Sequence, residues 1–380
     1  MAVINSPTQS IEIAMIKADT DFYRQLIHEW IGTKHSGILA FGLTPYISLY
    51  VVESNNYFQS RIPGFGKEVR LQNEDIIRAS RTRIKLFNDS FKDVPSLFEH
   101  LQWILTVFQK WMNVNHTGWF GIFQKWIQPD LGLYYYNDHL ISNTQAAFFN
   151  LGFEKHNIFI TELGQPINLD KLSHSVGYEL GQYLGALSSL FSEEQQLDIC
   201  VCKYQLIDKK FCNKDVKAQS FFSHSYNGSL TVDLNFSITL FLMTANFLIH
   251  VFHGLVLGNP DTWFKIKFLT LYHITLSLAK LRNYFYKTEK LSEISKTYFK
   301  ELLDNKELKF LTSQKDFRDI LVHYVIKDTL ADKLQPDIRF FGLIEHFFQG
   351  SSFEEINAMV DSQLQRISSI LEAWQKIKTK

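Results

Sequence analysis

Cysteine is scarce in this sequence, and the few that occur do not suggest a disulfide-rich protein. Three cysteines in 380 residues are too few for a disulfide framework, so we expect a reducing, cytoplasmic location. The first residues lack a basic region followed by an apolar run, so no signal peptide is expected. Glycine and proline number only 18 and eight, which argues against a linker-rich or low-complexity chain.

The chain also lacks net charge, because 39 Lys and Arg balance 39 Asp and Glu. This balance excludes a generally basic coat for nucleic acid but leaves a local patch open. The charges are in fact uneven, since residues 262–334 hold 14 Lys and Arg against nine Asp and Glu. Hydrophobic residues make up 46% of the chain and include 33 Phe, so we expect a folded protein with a large core.

The residue pattern predicts a mainly α-helical protein of two domains, with the boundary in the polar stretch that ends at residue 228. We expect residues 1–228 to form an α-rich regulatory or partner-binding domain with a few short strands. One strand is predicted over Tyr46–Val52, where β-branched and aromatic residues follow Pro45. Residues 229–380 keep the three- and four-residue apolar spacing of an up-and-down helical bundle.

Two features of the second half bear on its helices. Residues 234–260 contain no Asp, Glu, Lys or Arg and are long enough to cross a bilayer. Several Asn, Ser, Thr and His side chains interrupt them, so a buried central helix is favoured over a membrane span. Capping boxes are predicted at Ser313–Asp316 and at Ser352–Glu355, each at the start of a helix.

The segment from Lys315 to Lys327 carries the most informative pattern. At about 100° per residue, a helix here has a core face formed by Phe317, Ile320, Leu321 and Tyr324. The opposite side mixes Val322 and Ile326 with Arg318, Asp319 and His323. Because an exposed helix face normally has no second set of apolar residues, this side is predicted to be a second buried surface that carries polar chemistry. The helix is expected to continue until Leu334–Pro336.

Arg318-Asp319-Ile320-Leu321-Val322-His323 has the form R-polar-x-x-x-H, which resembles the signature of the HEPN superfamily of small all-α domains. Many members of that family are metal-independent RNases of toxin and antiviral systems, in which two protomers form one composite cleft. The resemblance covers only the C-terminal part of the chain. It implies that Arg318, Asp319 and His323 are catalytic, that no cofactor or metal is needed, and that RNA is the substrate.

The chemistry of RNA cleavage suits these residue types. A His transfers protons near neutral pH, and the planar fork of an Arg binds phosphate oxygens. One chain supplies one His in the motif, whereas the reaction needs an acid and a base. We therefore expect a homodimer in which Val322 and Ile326 form the contact. Asp319 is expected to hydrogen-bond His323, because they are four residues apart on a helix.

Other basic and metal-ligating residues leave alternatives open. Lys315, Lys327, Arg78 and Arg81 are candidate phosphate-binding residues, although a solvated helix face is the commoner reason for such charges. Cys200, Cys202, Cys212 and His224 match zinc spacing poorly, and a strand is favoured there.

The alternative to a nuclease is a non-catalytic HEPN-like module that serves for dimerisation or interaction, or as a subunit of a larger nucleoprotein defence complex. An antitoxin or another defence-complex partner is compatible with either function. No membrane partner is expected.

Overall fold

The computed structural model describes most of the chain. The described ranges are 7–31, 35–63, 65, 71–86, 91–112, 128–156, 158–161, 169–191, 210–227, 230–255, 259–288 and 291–375. Within them the protein is mainly helical, as predicted, with one small antiparallel sheet.

The elements of the first part of the chain are six helices and two strands among the described residues. They are α1 (Pro7–Ile31), α2 (Ser36–Gln59), α3 (Glu74–Arg83), α4 (Val94–Met112), β1 (Leu131–Tyr136), β2 (His139–Asn143), α5 (Thr144–Asn150) and α6 (Leu169–Phe191).

The described remainder adds a third strand and further helices. They are β3 (Phe211–Val216), α7 (Ala218–His224), α8 (Val232–Asn246), α9 (Pro260–Lys287), α10 (Glu293–Leu303), α11 (Lys306–Thr312), α12 (Lys315–His323), α13 (Leu343–Phe347) and α14 (Phe353–Trp374). A π-helical turn (Phe247–Val251) and a 3₁₀ turn (Phe252–Leu255) extend α8. Two further 3₁₀ turns, Asp328–Lys333 and Arg339–Gly342, lie between α12 and α13.

The sheet has the strand order β2-β1-β3, with both pairings antiparallel. Asn137 and Asp138 form the turn between β1 and β2, and both have positive φ, at 50° and 65°. A two-residue turn of this kind matches the twist of the flanking strands, and Asn and Asp tolerate that conformation. Cys212 is exposed on β3, whereas Cys200 and Cys202 lie outside the described residues.

The predicted strand at Tyr46–Val52 is wrong, because these residues belong to α2. Neighbouring elements bury α2 on almost every side, including α1, α3, α5 and α12. A helix buried all round shows no amphipathic period, and its β-branched residues then imitate a strand. Pro45 removes the bond that the Phe41 carbonyl would accept, and Asn150 Nδ2 donates to that carbonyl instead at 3.3 Å.

The long helix α9 begins at Pro260. The Asn259 side chain caps it by accepting from Thr262 N at 3.2 Å, and Pro260 occupies the first turn. The capping box of Ser352 and Glu355 is likewise present at the start of α14. The box predicted at Ser313 is absent from α12, because Gln314 is its N-cap residue and makes no side-chain bond there.

The predicted domain boundary at residue 228 does not coincide with a break in the hydrophobic core. One cluster of buried apolar side chains extends from Ile11 to Trp374. In addition, α8 packs on β2 and α12 packs on α2. Both sides of residue 228 therefore contribute to the same core.

In the part of the chain that the structure describes, two helices are long and apolar enough to cross a membrane by length and composition, namely α2 and the α8 segment that ends at Val251. The share of each that is buried inside the fold is 67% and 83%, respectively. Core helices pass the same test of length and composition. The buried central helix predicted around residues 234–260 agrees with this arrangement.

Candidate functional site

The helix that carries the predicted motif is shorter than expected. It ends at His323, and Tyr324 takes a left-handed conformation with φ 58°. Its N–H still donates to the Ile320 carbonyl at 2.9 Å, which closes the last turn. The helix therefore does not continue to Leu334, and Ile326 lies in the segment after it.

The segment after α12 is bound to the first helix of the chain. The Tyr324 hydroxyl donates to Asp19 Oδ2 at 2.6 Å, and Ile326 N donates to Glu12 Oε1 at 2.7 Å. Lys265 of α9 also donates to Asp19 Oδ2, at 2.5 Å, and both side chains of this ion pair are buried. This buried network fixes where α12 ends.

The predicted dimer contact is wrong for Val322 and Ile326. Both are buried inside their own chain, with exposures of 2% and 4%. The expected second buried surface exists, but α12 packs against α2 and the following segment bonds to α1. The apolar residues that were expected to meet a second copy are therefore covered within the chain.

His323 is oriented by a carboxylate, but by Glu53 rather than by Asp319. Its Nδ1 lies 2.7 Å from Glu53 Oε2, while the His323 side chain is 43% exposed and that of Glu53 only 4%. Arg81 of α3 forms an ion pair with the other Glu53 oxygen. An imidazole held at Nδ1 by a carboxylate has its Nε2 left for proton transfer.

The charge of Glu53 depends on these partners. Burial alone would raise the pKa of its carboxyl group. The hydrogen bond with His323 and the positive charge of Arg81 outweigh that effect, so the pKa of Glu53 lies below its usual value. The carboxyl group is therefore ionised at neutral pH and acts as a hydrogen-bond acceptor for the imidazole.

Arg318 and Asp319 pair with each other. Their closest charged atoms, Nη1 and Oδ1, are 2.9 Å apart, and the Arg318 side chain is 13% exposed. The guanidinium also lies over the ring of Tyr272, 5.2 Å from its centroid. Among the described residues, nothing accepts a hydrogen bond from its buried Nε. Asp319 thus orients the arginine of the motif, not the histidine.

His273 of α9 is buried within reach of the charges of three cationic side chains. Burial lowers the pKa of its imidazole, and the charges of Arg318, Lys85 and Arg81 lower it further, well below its usual value. His273 is consequently neutral, and the cations that lower its pKa come from α3, from the residue Lys85 just after it and from α12. We call Glu53, Arg81, His273, Arg318 and His323 the imidazole cluster.

The remaining candidate residues lie outside the imidazole cluster. Arg78 forms an ion pair with Glu74, one turn earlier on α3, at 2.6 Å. Lys327 pairs with Asp316 at 3.1 Å, and Lys315 is exposed at the start of α12. These cations are accessible at the surface, whereas Arg81 is committed to Glu53.

Glu53 is the residue that the sequence interpretation missed. It is the one charged residue in the 24-residue helix α2. A carboxylate inside such an apolar segment must find partners when it is buried, and this signal was present in the sequence.

Within the described residues, no group of three or more His, Cys, Asp or Glu side chains is placed to hold a metal ion. No family model, curated protein or solved structure matches this chain.

Proposed function

We propose that this protein is a metal-independent endoribonuclease of toxin or antiviral-defence type, with a HEPN-like helical bundle in its C-terminal part. The observation that carries the proposal is the half-exposed imidazole of His323, held at Nδ1 by the buried carboxylate of Glu53. Arg318 lies five residues before His323 in the R-polar-x-x-x-H pattern, and both belong to α12. A base and a phosphate-binding cation are the groups that RNA cleavage without metal requires.

In this mechanism, the RNA 2′-hydroxyl gives its proton to Nε2 of His323, and the 2′-oxygen attacks the adjacent phosphorus. Arg318 stabilises the negative charge that develops on the phosphoryl oxygens. The bond to the 5′-oxygen breaks, and that oxygen takes a proton from an acid. The products are a 2′,3′-cyclic phosphate and a 5′-hydroxyl end.

The acid is proposed to be the protonated His323 of a second copy. A homodimer that joins two imidazole clusters would supply it, through a surface other than Val322 and Ile326. The location proposed for this activity is the cytoplasm, with RNA as the partner and an antitoxin or defence complex as its regulator.

Cleavage of labelled single-stranded RNA in the presence of a chelator tests the proposal. His323→Ala is expected to lower the rate by about 10²- to 10⁴-fold, as loss of an acid–base group does. Arg318→Ala is expected to lower it by about 10²- to 10³-fold. His224→Ala is the matched control, because His224 is exposed and its Nδ1 lies 2.8 Å from the Ser220 carbonyl oxygen of its own helix.

A subunit-mixing experiment tests the composite site. Because the proposed site needs the His323 of both copies, an excess of His323→Ala protein added to the wild type should lower the cleavage rate through inactive mixed dimers, whereas an excess of His224→Ala should not. Cleavage that is equal in all three single variants, or absent from the wild type, refutes the nuclease.

The second candidate function is a non-catalytic interaction module. It is favoured because the same charged groups form contacts between helices of the chain: Glu53 of α2 pairs with Arg81 of α3 and with His323 of α12. In that case the wild type does not cleave RNA, and the effect of His323→Ala is a lower free energy of unfolding.

A further inference from the structure

A basic groove lies at the C-terminal end of α9. It holds about 540 Å³, and its cations are Lys92, Lys280 and Lys287. Among the described side chains that line it, Asp93 is the one acidic residue, and Asn283 adds an exposed amide. Three cations against one anion give this groove a positive potential, although the whole chain has no net charge.

A second groove continues the first around the same helix. It holds about 320 Å³, and its cations are Arg282 and Lys300, with Asp304 as the acid. Asn283 lines both grooves, so they form one surface. Tyr286 lies in the second groove and is 43% exposed, which is unusual for a large aromatic ring in this protein. We call the two together the α9 groove.

The α9 groove leads away from the imidazole cluster along one helix. The Tyr272 ring of α9 lies beneath the Arg318 guanidinium, and the charge of Arg318 lowers the pKa of the neighbouring His273. One turn further along α9, Ser277 Oγ lies 3.4 Å from the Lys85 carbonyl oxygen. At 1.5 Å per residue, Lys280 and Lys287 are about 10 and 21 Å further along the axis than His273. These two lysines and His273 are seven residues apart, so they share one side of the helix.

We propose that the α9 groove binds single-stranded RNA and directs it toward the imidazole cluster. The cations would neutralise successive phosphates, and the exposed Tyr286 ring would stack on a base. Basic grooves with exposed aromatic rings bind single strands in this way, without sequence preference. The inference deepens the proposed nuclease function, since it places the substrate of that site. Binding and cleavage are nevertheless separable properties.

The test measures binding alone, with a fluorescent single-stranded oligonucleotide whose 2′-hydroxyls are methylated, so that it cannot be cut. The variant Lys92→Gln/Lys287→Gln/Lys300→Gln removes three charges from the α9 groove. We expect its affinity to fall at least tenfold. The slope of log affinity against log salt concentration should become less steep by about two, because each of the three lost phosphate contacts with a single strand contributes about 0.7.

The matched control removes the same number of charges elsewhere. Lys17, Lys171 and Lys214 are exposed on α1, α6 and β3, and their change to Gln should leave affinity within about twofold. Tyr286→Ala should weaken binding about tenfold without altering the salt slope, because stacking involves no counterion.

Equal binding by the groove and control variants would overturn the proposal, as would equal affinity for a duplex of the same length. Failure of the nuclease has a different signature. His323→Ala is expected to bind the methylated strand like the wild type, whether or not the wild type cuts RNA. A groove that binds and a histidine that does not cut would refute the nuclease alone.

Discussion

Replacing Glu53 by Gln removes the charge at the centre of the imidazole cluster while keeping the shape of the side chain. Glu53 is 4% exposed and is paired with Arg81 and His323. Removing one partner of a buried ion pair leaves the remaining charge without an opposite charge beside it, and this typically destabilises a protein by about 3–5 kcal/mol. Arg81 and His323 are 17% and 43% exposed, so water partly replaces the carboxylate. We therefore expect a loss of about 2–3 kcal/mol at neutral pH.

The same variant has a predictable pH dependence. The folded pKa of Glu53 lies below its value of 4.5 in the unfolded chain. A carboxyl group of this kind stabilises the fold above its unfolded pKa, and the contribution disappears as the pH falls through the folded pKa. Below both values the protonated Glu53 resembles Gln. The difference in free energy of unfolding between wild type and variant should thus shrink as the pH falls from about 4.5.

Urea unfolding at about pH 7 and at several pH values below 4.5 measures both effects. The difference in urea midpoint, multiplied by the m-value, gives the difference in free energy of unfolding. Glu99→Gln is the control, because Glu99 is 75% exposed and pairs with Lys155 only at the surface. It should change stability by less than about 0.5 kcal/mol. The reasoning is refuted if Glu53→Gln is as stable as wild type at neutral pH, or if the difference stays constant as the pH falls.

Two further predictions concern burial within the chain. Val322→Ala should lower the free energy of unfolding by about 2 kcal/mol and leave the sedimentation coefficient unchanged; loss of self-association at unchanged stability would contradict its burial. Lys265→Met should destabilise by about 3 kcal/mol, because Asp19 is left as a buried charge. Asp19→Asn/Lys265→Met should recover part of that loss in thermal unfolding, and an additive double variant would refute the coupling.

The bundle helices could be predicted because their signals are local. The stripe of α9 and the capping box at Ser352 depend on residues within a few turns, and both are present in the structure. The helix α2 could not be predicted from its residues, since burial by distant elements decided its structure. The end of α12 was also missed. Its left-handed Tyr324 is held by Asp19, 305 positions earlier in the chain.

The candidate site was predictable in its residue types and not in its connections. Arg318 and His323 both lie on α12, and each is paired with a different carboxylate. A four-residue spacing predicted that Asp319 binds His323, but Arg318 competes for that carboxylate and Glu53 approaches the ring from another helix. Local spacing predicts which side chains can come into contact on one helix. It does not predict which side chains of other elements bind them instead.

The bond between Glu53 and His323 joins residues 270 positions apart. During synthesis the N-terminal part emerges from the ribosome first. Glu53 is therefore translated long before its imidazole exists, and the nascent protein cannot assemble this pair until residue 323 has left the exit tunnel. Any chemistry that depends on the pair is withheld from an unfinished polypeptide, and a product terminated before residue 323 lacks it altogether.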